Sequence, residues 1–169
     1  MEKYIEYSVT RKLSNAEQVK RFFYTVLPMA LACYLFILIR ALGSLAFFAI
    51  LISIGLFYLA YKLFISFILE YEYTFVENEI RFAKIINKAK RKEIRNVQLS
   101  KIDVMAKLSD NAHNNELKNV SRKYDYSSNN SDNIYFFIAN DNKGKFAVLF
   151  DPNETMLESF KTLLRGKVF

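Results

Sequence analysis

The 169-residue sequence has no tryptophan, one cysteine, one histidine, two prolines and four glycines. One cysteine closes no intrachain disulfide and builds no zinc site, so nothing points to an oxidising compartment. Cys33 also lies inside an apolar run, where the thiol stays protonated and far from any base. The single histidine, His113, stands between Ala112 and Asn114 without neighbours at metal-ligand spacing and reads as a solvated loop residue. Gly43, Gly55, Gly144 and Gly166 form no phosphate-cradling loop. Asp103, Asp132, Asp141 and Asp151 have local explanations as strand-face, loop, turn and cap residues, and no pair makes an acid–base arrangement. No catalytic residue, cofactor or metal site is therefore expected, and the chain does not read as an enzyme.

What is present falls into two unlike parts. Phe22 to Ile39 carries no charge, Arg40 ends it, and Ala41 to Tyr61 is again uncharged, with the apolar run resuming after Lys62 as far as Leu69. A helix needs about 20 mostly apolar residues to cross hydrocarbon, so residues 22–69 predict a transmembrane hairpin of two helices, near 22–40 and 45–67. The long, mixed-charge segment ahead of them does not match a signal peptide. The link of a few residues around Gly43 allows only antiparallel neighbours. Ser14-Asn15-Ala16-Glu17 has the form of a capping box and places the first helix start near Asn15, and Pro28 is expected to kink that helix. Lys62 reads as a snorkelling cation near the inner interface. Lys3, Arg11, Lys12, Lys20 and Arg21 flank one side and only Arg40 marks the hairpin tip, so both termini are expected in the cytoplasm of a multi-pass plasma-membrane protein. Residues 1–21 form a cytoplasmic segment; its first 13 residues fit a short interfacial helix or a strand equally well.

From residue 70 to 169 the pattern becomes one of short alternating runs. Tyr71, Tyr73 and Phe75 alternate with polar residues at the strand period, Ile80 to Ile86 follows a Glu77-Asn78 turn, and Lys90 to Arg95 follows Asn87-Lys88. Ile102 to Met105, Ile134 to Ala139 and Lys145 to Phe150 supply further strands, the last two joined by the turn Asn140 to Gly144. Asp151 as N-cap, Pro152 and Glu154 announce a closing helix over about 152–165, with Met156, Leu157, Phe160, Leu163 and Leu164 on one face and Gly166 as its stop. Residues 107–133 are rich in Asn, Ser and charge and read in part as a flexible loop, with Val120 to Tyr126 a possible short edge strand.

The net charge is +7, and much of it gathers in Arg81, Lys84, Lys88, Lys90, Arg91, Lys92, Arg95 and Lys101, opposed within that stretch only by Glu93. Lysines at a solvated sheet edge block edge-to-edge pairing, which explains the cluster without a ligand. A basic face against an anionic leaflet explains it as well, at about 1 kcal/mol per cation. Lys88, Lys90, Arg91 and Lys92, gathered at one turn, are the candidate contacts to anionic lipid. Nucleic acid is not an expected partner, because no aromatic platform interleaves these cations along the chain.

Two membrane helices, antiparallel strands and one C-terminal amphipathic helix resemble the layout of membrane-anchored bacterial pleckstrin-homology-like (PH-like) domains. Tyr73 to Ile80 resembles their opening hairpin, and Lys90 to Ile102 the strand and turn that lead into the next strand. The chain also resembles a family of small clostridia-like Gram-positive membrane proteins with no assigned function. The resemblance lies in Glu70 to Thr74, the basic run after Lys84-Ile85-Ile86, Phe150 to Glu154 and the ending Gly166-Lys167-Val168-Phe169. It implies a fold: a membrane α-hairpin plus a cytoplasmic α+β domain, an antiparallel PH-like sheet or partly open barrel with a C-terminal helix. It implies no activity. The expected role is a binding or scaffold module at the inner face of the plasma membrane, touching the lipid bilayer and either anionic head groups or a membrane protein partner. An accessory subunit of a larger membrane complex is the alternative, and an enzyme the third reading.

Overall fold

The computed structural model describes residues 4–110, 112–129 and 132–169. The chain forms two compact units: one takes the chain up to Lys12 together with Leu69–Phe169, the other is Leu13–Ile68.

The second unit is helical: α1 (Asn15–Leu42) and α2 (Ala46–Ser66) are joined by one 3₁₀ turn, Gly43–Leu45. The capping box forms, with the Glu17 N–H donating to Ser14 Oγ at 3.3 Å and the Ser14 N–H donating to Glu17 Oε2 at 2.9 Å. Pro28 lies inside α1. The helices are antiparallel neighbours. Ser53 Oγ donates to the Ala32 carbonyl at 3.3 Å, and Arg21 lies 3.9 Å from the Phe64 ring centroid. Ala32, Ala49, Ser53 and Ala60 are the buried residues of this seam, where small side chains let two backbones approach. The large apolar side chains point the other way: Phe22, Leu27, Ile37, Phe47 and Ile54 are all more than half exposed. Nearly every exposed large hydrophobic residue of the protein belongs to this unit.

By length and composition, Asn15–Ser66 counts as one helical stretch able to cross a membrane, with few of its residues buried. The sequence reading expected two separate spans, near 22–40 and 45–67. The difference lies in the link, where Gly43–Leu45 remains helical and leaves no open loop between α1 and α2.

The other unit is built from two four-stranded sheets. Sheet A is an antiparallel meander in the order β1 (Tyr4–Thr10), β2 (Leu69–Val76), β3 (Glu79–Ile86), β4 (Lys90–Gln98). Sheet B contains β5 (Ile102–Lys107), β6 (Arg122–Asp125), β7 (Tyr135–Asp141) and β8 (Gly144–Phe150), in the order β5-β7-β8-β6. β6 runs parallel to β8 and the other pairs are antiparallel. A short helix α3 (Asn114–Asn119) precedes β6, and α4 (Glu154–Leu163) closes the chain. The two sheets share one core of Tyr73, Phe75, Phe82, Phe137 and Phe150, all fully buried, against which α4 sets Met156 and Phe160. Phe160 meets Phe75 and Phe150 edge-on at centroid distances of 5.3 and 5.8 Å.

Several sequence expectations change. The segment before the helices is not separate from the β-domain: Tyr4–Thr10 pairs with β2 from Val76 back to Glu70, with Val9 buried, so the hairpin is inserted between the first and second strands. The Tyr73–Ile80 stretch forms the turn of the β2–β3 hairpin, and β1 adds one strand on the far side of β2. The N-cap of α4 is Asn153, which accepts from the Met156 N–H at 2.8 Å. Asp151 is drawn inward instead, where it accepts from the Ser128 N–H at 2.6 Å. Of the segment 107–133, residues 114–119 form α3 and 122–125 form β6. Leu117 and Val120 cover the outer face of sheet B at Val104, Phe136 and Ile138. Apolar burial by these two residues docks α3 on that sheet. Gly166, at φ +74°, turns the chain back so that Val168 bridges to Met105 on β5. This return brings Phe169 onto His113, ring centroids 4.4 Å apart, with His113 Nδ1 also 3.2 Å from Glu116 Oε1. His113 is therefore a partly buried packing residue.

Candidate functional site

The β3–β4 turn is where the basic residues gather. Asn87 and Lys88 take left-handed backbone, at φ +52° and +55°, and the Ala89 N–H donates to the Ile86 carbonyl at 3.2 Å. Asn tolerates that conformation well; Lys adopts it at some cost. Lys88, Lys90, Arg91 and Lys92 are all exposed.

The sheet register divides these four. Arg91 forms an ion pair with Glu72, whose side chain is only 8% exposed. Arg91 thus serves the fold, since a buried carboxylate without its cation is costly. Lys92 stands directly opposite Lys84 across β3–β4, an arrangement in which like charges repel unless an anion lies nearby. Among the described residues, no carboxylate lies within ion-pair distance of Lys88, Lys90 or Lys92. Elsewhere in the basic stretch, Arg81 reaches Glu79 at 3.5 Å. Arg95 leaves the cluster and lies over the rings of Tyr124 and Phe146, at 3.9 and 4.7 Å from their centroids. The sequence shows no aromatic platform because these rings come from β6 and β8, 29 and 51 positions further on.

The position of the turn follows from the register. Lys90 is opposite Ile86, and Ile86 is opposite Leu69. Leu69 is where the chain enters the β-domain from the helical unit. The N–H of Arg11, one residue before the chain leaves, donates to the Leu69 carbonyl at 2.9 Å. The basic turn, the exit and the re-entry therefore occupy one end of sheet A, with Lys90 two strands from Leu69, about 10 Å at the usual strand spacing. The other end, at the Glu77-Asn78 turn and the C-terminus of α4, holds a cavity of about 980 Å³. Its lining mixes both signs, with Glu77 and Glu79 beside Arg81, Arg165 and Lys167.

Among the described residues, no group of three His, Cys, Asp or Glu side chains is placed to hold a metal ion.

Two facing four-stranded sheets sharing one aromatic core, closed by a C-terminal helix, define a PH-like domain, here interrupted after its first strand by an apolar helical insertion. The chain belongs to the family described as bacterial PH-like domain (DUF6106), whose model matches residues 1–169. No curated protein and no solved structure matches it.

Proposed function

We propose that this protein is a membrane-anchored, non-catalytic binding module. Its helical insertion sits in the plasma membrane as a two-helix hairpin, and its PH-like domain rests on the cytoplasmic leaflet through the β3–β4 turn. The observation that carries this reading is the shared row of Leu69, Ile86 and Lys90. Whatever surface the helical segment enters, the chain comes out of it at Leu69, and the basic turn is at the same end of the sheet. The apolar exterior of α1 and α2 supports the anchor, as do their lengths. At 1.5 Å per residue α2 spans about 32 Å, close to the hydrocarbon thickness of about 30 Å. α1 is longer by about 10 Å, and its extra turns hold Glu17, Lys20 and Arg21.

Lys88, Lys90 and Lys92 supply the contacts to anionic head groups, while Arg91, tied to Glu72, sets the local geometry. The test uses the full chain in nanodiscs with a spin label at position 89. Its proximity to head groups should rise when anionic lipid replaces neutral lipid and fall again with salt, since screening acts over about 8 Å at physiological ionic strength. Equal proximity in both lipids, or no response to Lys88→Gln, Lys90→Gln and Lys92→Gln together, refutes the contact.

The accessory-subunit reading keeps one observation in its favour. Gly55 faces outward on α2, while Ala49 and Ser53 are used in the intrachain seam. A stoichiometric partner retained in mild detergent and lost on Gly55→Leu would favour it.

A further inference from the structure

Among the described residues β4 is an edge of sheet A, paired with β3 on one side and with no strand on the other. Facing its distal half are β6 and the β7–β8 turn, and between them lies a groove of about 330 Å³. Arg95, Lys101, Arg122 and Lys143 line it, and Asp141 is its one carboxylate.

The two arginines differ in state. Arg122 is fully engaged: its Nη1 and Nη2 donate to the two Asp141 oxygens at 3.1 and 2.6 Å, and Nη2 also reaches the Gly144 carbonyl. Asp141 is likewise occupied, since it also accepts from the Lys143 N–H at 2.8 Å. Among the described residues Arg95 makes no hydrogen bond or ion pair of this kind, although its charge acts on Asp141. Its guanidinium carbon lies 3.9 and 4.7 Å from the ring centroids of Tyr124 and Phe146, and its Nε is buried with no hydrogen-bond partner among the described residues. A buried, charged donor without an acceptor is unfavourable, so this one is retained against a cost. Contact with the two rings has already restricted the side chain, so an acceptor arriving in the groove orders little that is not ordered already. A guanidinium fork matches the paired oxygens of an oxyanion, and Lys101 and Lys143 flank it.

The geometry points to this groove as a binding site for a phosphomonoester group, with Arg95 donating to the phosphoryl oxygens and Lys101 and Lys143 neutralising the second charge. A dianion suits a site with three uncommitted cations better than a lone carboxylate does. The Arg122–Asp141 pair fixes the wall without touching the ligand. This site is separate from the basic turn. Phe82, opposite Arg95, is four residues along β3 from Ile86, about 13 Å at the rise of a strand. The inference does not rest on the membrane reading.

The experiment places the full chain in phosphatidylcholine nanodiscs and titrates it with inorganic phosphate, O-phosphoserine and serine, following the Arg95 side-chain resonance and the binding isotherm. Phosphate and phosphoserine should bind saturably and serine should not. Arg95→Lys, which keeps the charge but loses the fork, should weaken binding by roughly tenfold or more. Lys101→Gln with Lys143→Gln, both exposed and remote from the core, should weaken it several-fold while leaving the melting temperature unchanged. Lys88→Gln, Lys90→Gln and Lys92→Gln together should leave phosphate affinity unaltered, which separates this site from the proposed lipid contact. A second arm adds phosphatidic acid to the nanodiscs. A shift of the Arg95 resonance there assigns the phosphomonoester to a lipid head group, and a shift with the free compounds alone assigns it to a soluble ligand. Absence of saturable binding in both arms, or affinity unchanged in Arg95→Lys and in the double lysine variant, overturns the site and leaves Arg95 as a cover over Phe146.

Discussion

The N–H of Arg11 donates to the carbonyl of Leu69 at 2.9 Å, joining residues 58 positions apart in the chain. The bond continues the ladder of β1 on β2 and clips together the two points where the chain passes between its units.

This makes the first strand part of the domain. Removing residues 1–12 should strip β1 from sheet A, open the edge of β2 and expose its aromatic face, with aggregation as the visible consequence. Val9→Ala tests the same docking through one side chain and should cost about 2 kcal/mol. Both are read by thermal unfolding in one detergent; a truncated chain that melts with the parent would show that β1 is dispensable.

Phe160 is the side chain through which α4 closes the core, fully buried between Phe75 and Phe150. Phe160→Ala should destabilise the β-domain by about 3–5 kcal/mol, the usual range for a buried phenylalanine. Leu163→Ala, on the exposed face of the same helix, should change stability by less than about 0.5 kcal/mol. Equal effects of the two would mean that α4 is not docked by this face.

The hydrogen bonds from Arg122 hold the Asp141 carboxyl below its ordinary 3.8, at about 2. A depressed carboxylate contributes stability that is present above its unfolded value and lost as pH falls toward its folded one. That contribution should disappear between about pH 4 and pH 2. Carboxyl NMR should find Asp141 titrating near the bottom of this window. In Arg122→Gln the titration should return toward the ordinary carboxylate range, and the acid limb of the stability curve should flatten. An unchanged Asp141 titration in that variant contradicts the assignment.

The proposed topology rests on the placement of cations. A reporter at Ser44, in the turn between α1 and α2, should read as outside the cytoplasm, and one after Phe169 as inside. A cytoplasmic signal at Ser44 would remove the hairpin from the membrane and with it the anchored reading.

The sequence by itself determined whatever rests on local periodicity and local hydrogen bonding. Uncharged runs over Phe22–Ile39 and Ala41–Tyr61, a capping box at Ser14 and Glu17, strand alternation at Tyr71, Tyr73 and Phe75, and the Asn140–Gly144 turn each express their structure within a few positions of themselves. The exposed basic turn at Lys88 was legible for the same reason. Tertiary structure decided what depends on pairing across distance. Tyr4–Thr10 fits a short helix or a strand by sequence, and pairing with β2 makes it a strand. Asp151 yields the cap of α4 to Asn153 because the backbone of Ser128 claims its carboxylate. The candidate phosphate groove draws Arg95 from β4, Tyr124 from β6 and Lys143 from the β7–β8 turn. Those residues share no spacing along the chain, and only the closure of two sheets over one core brings them together.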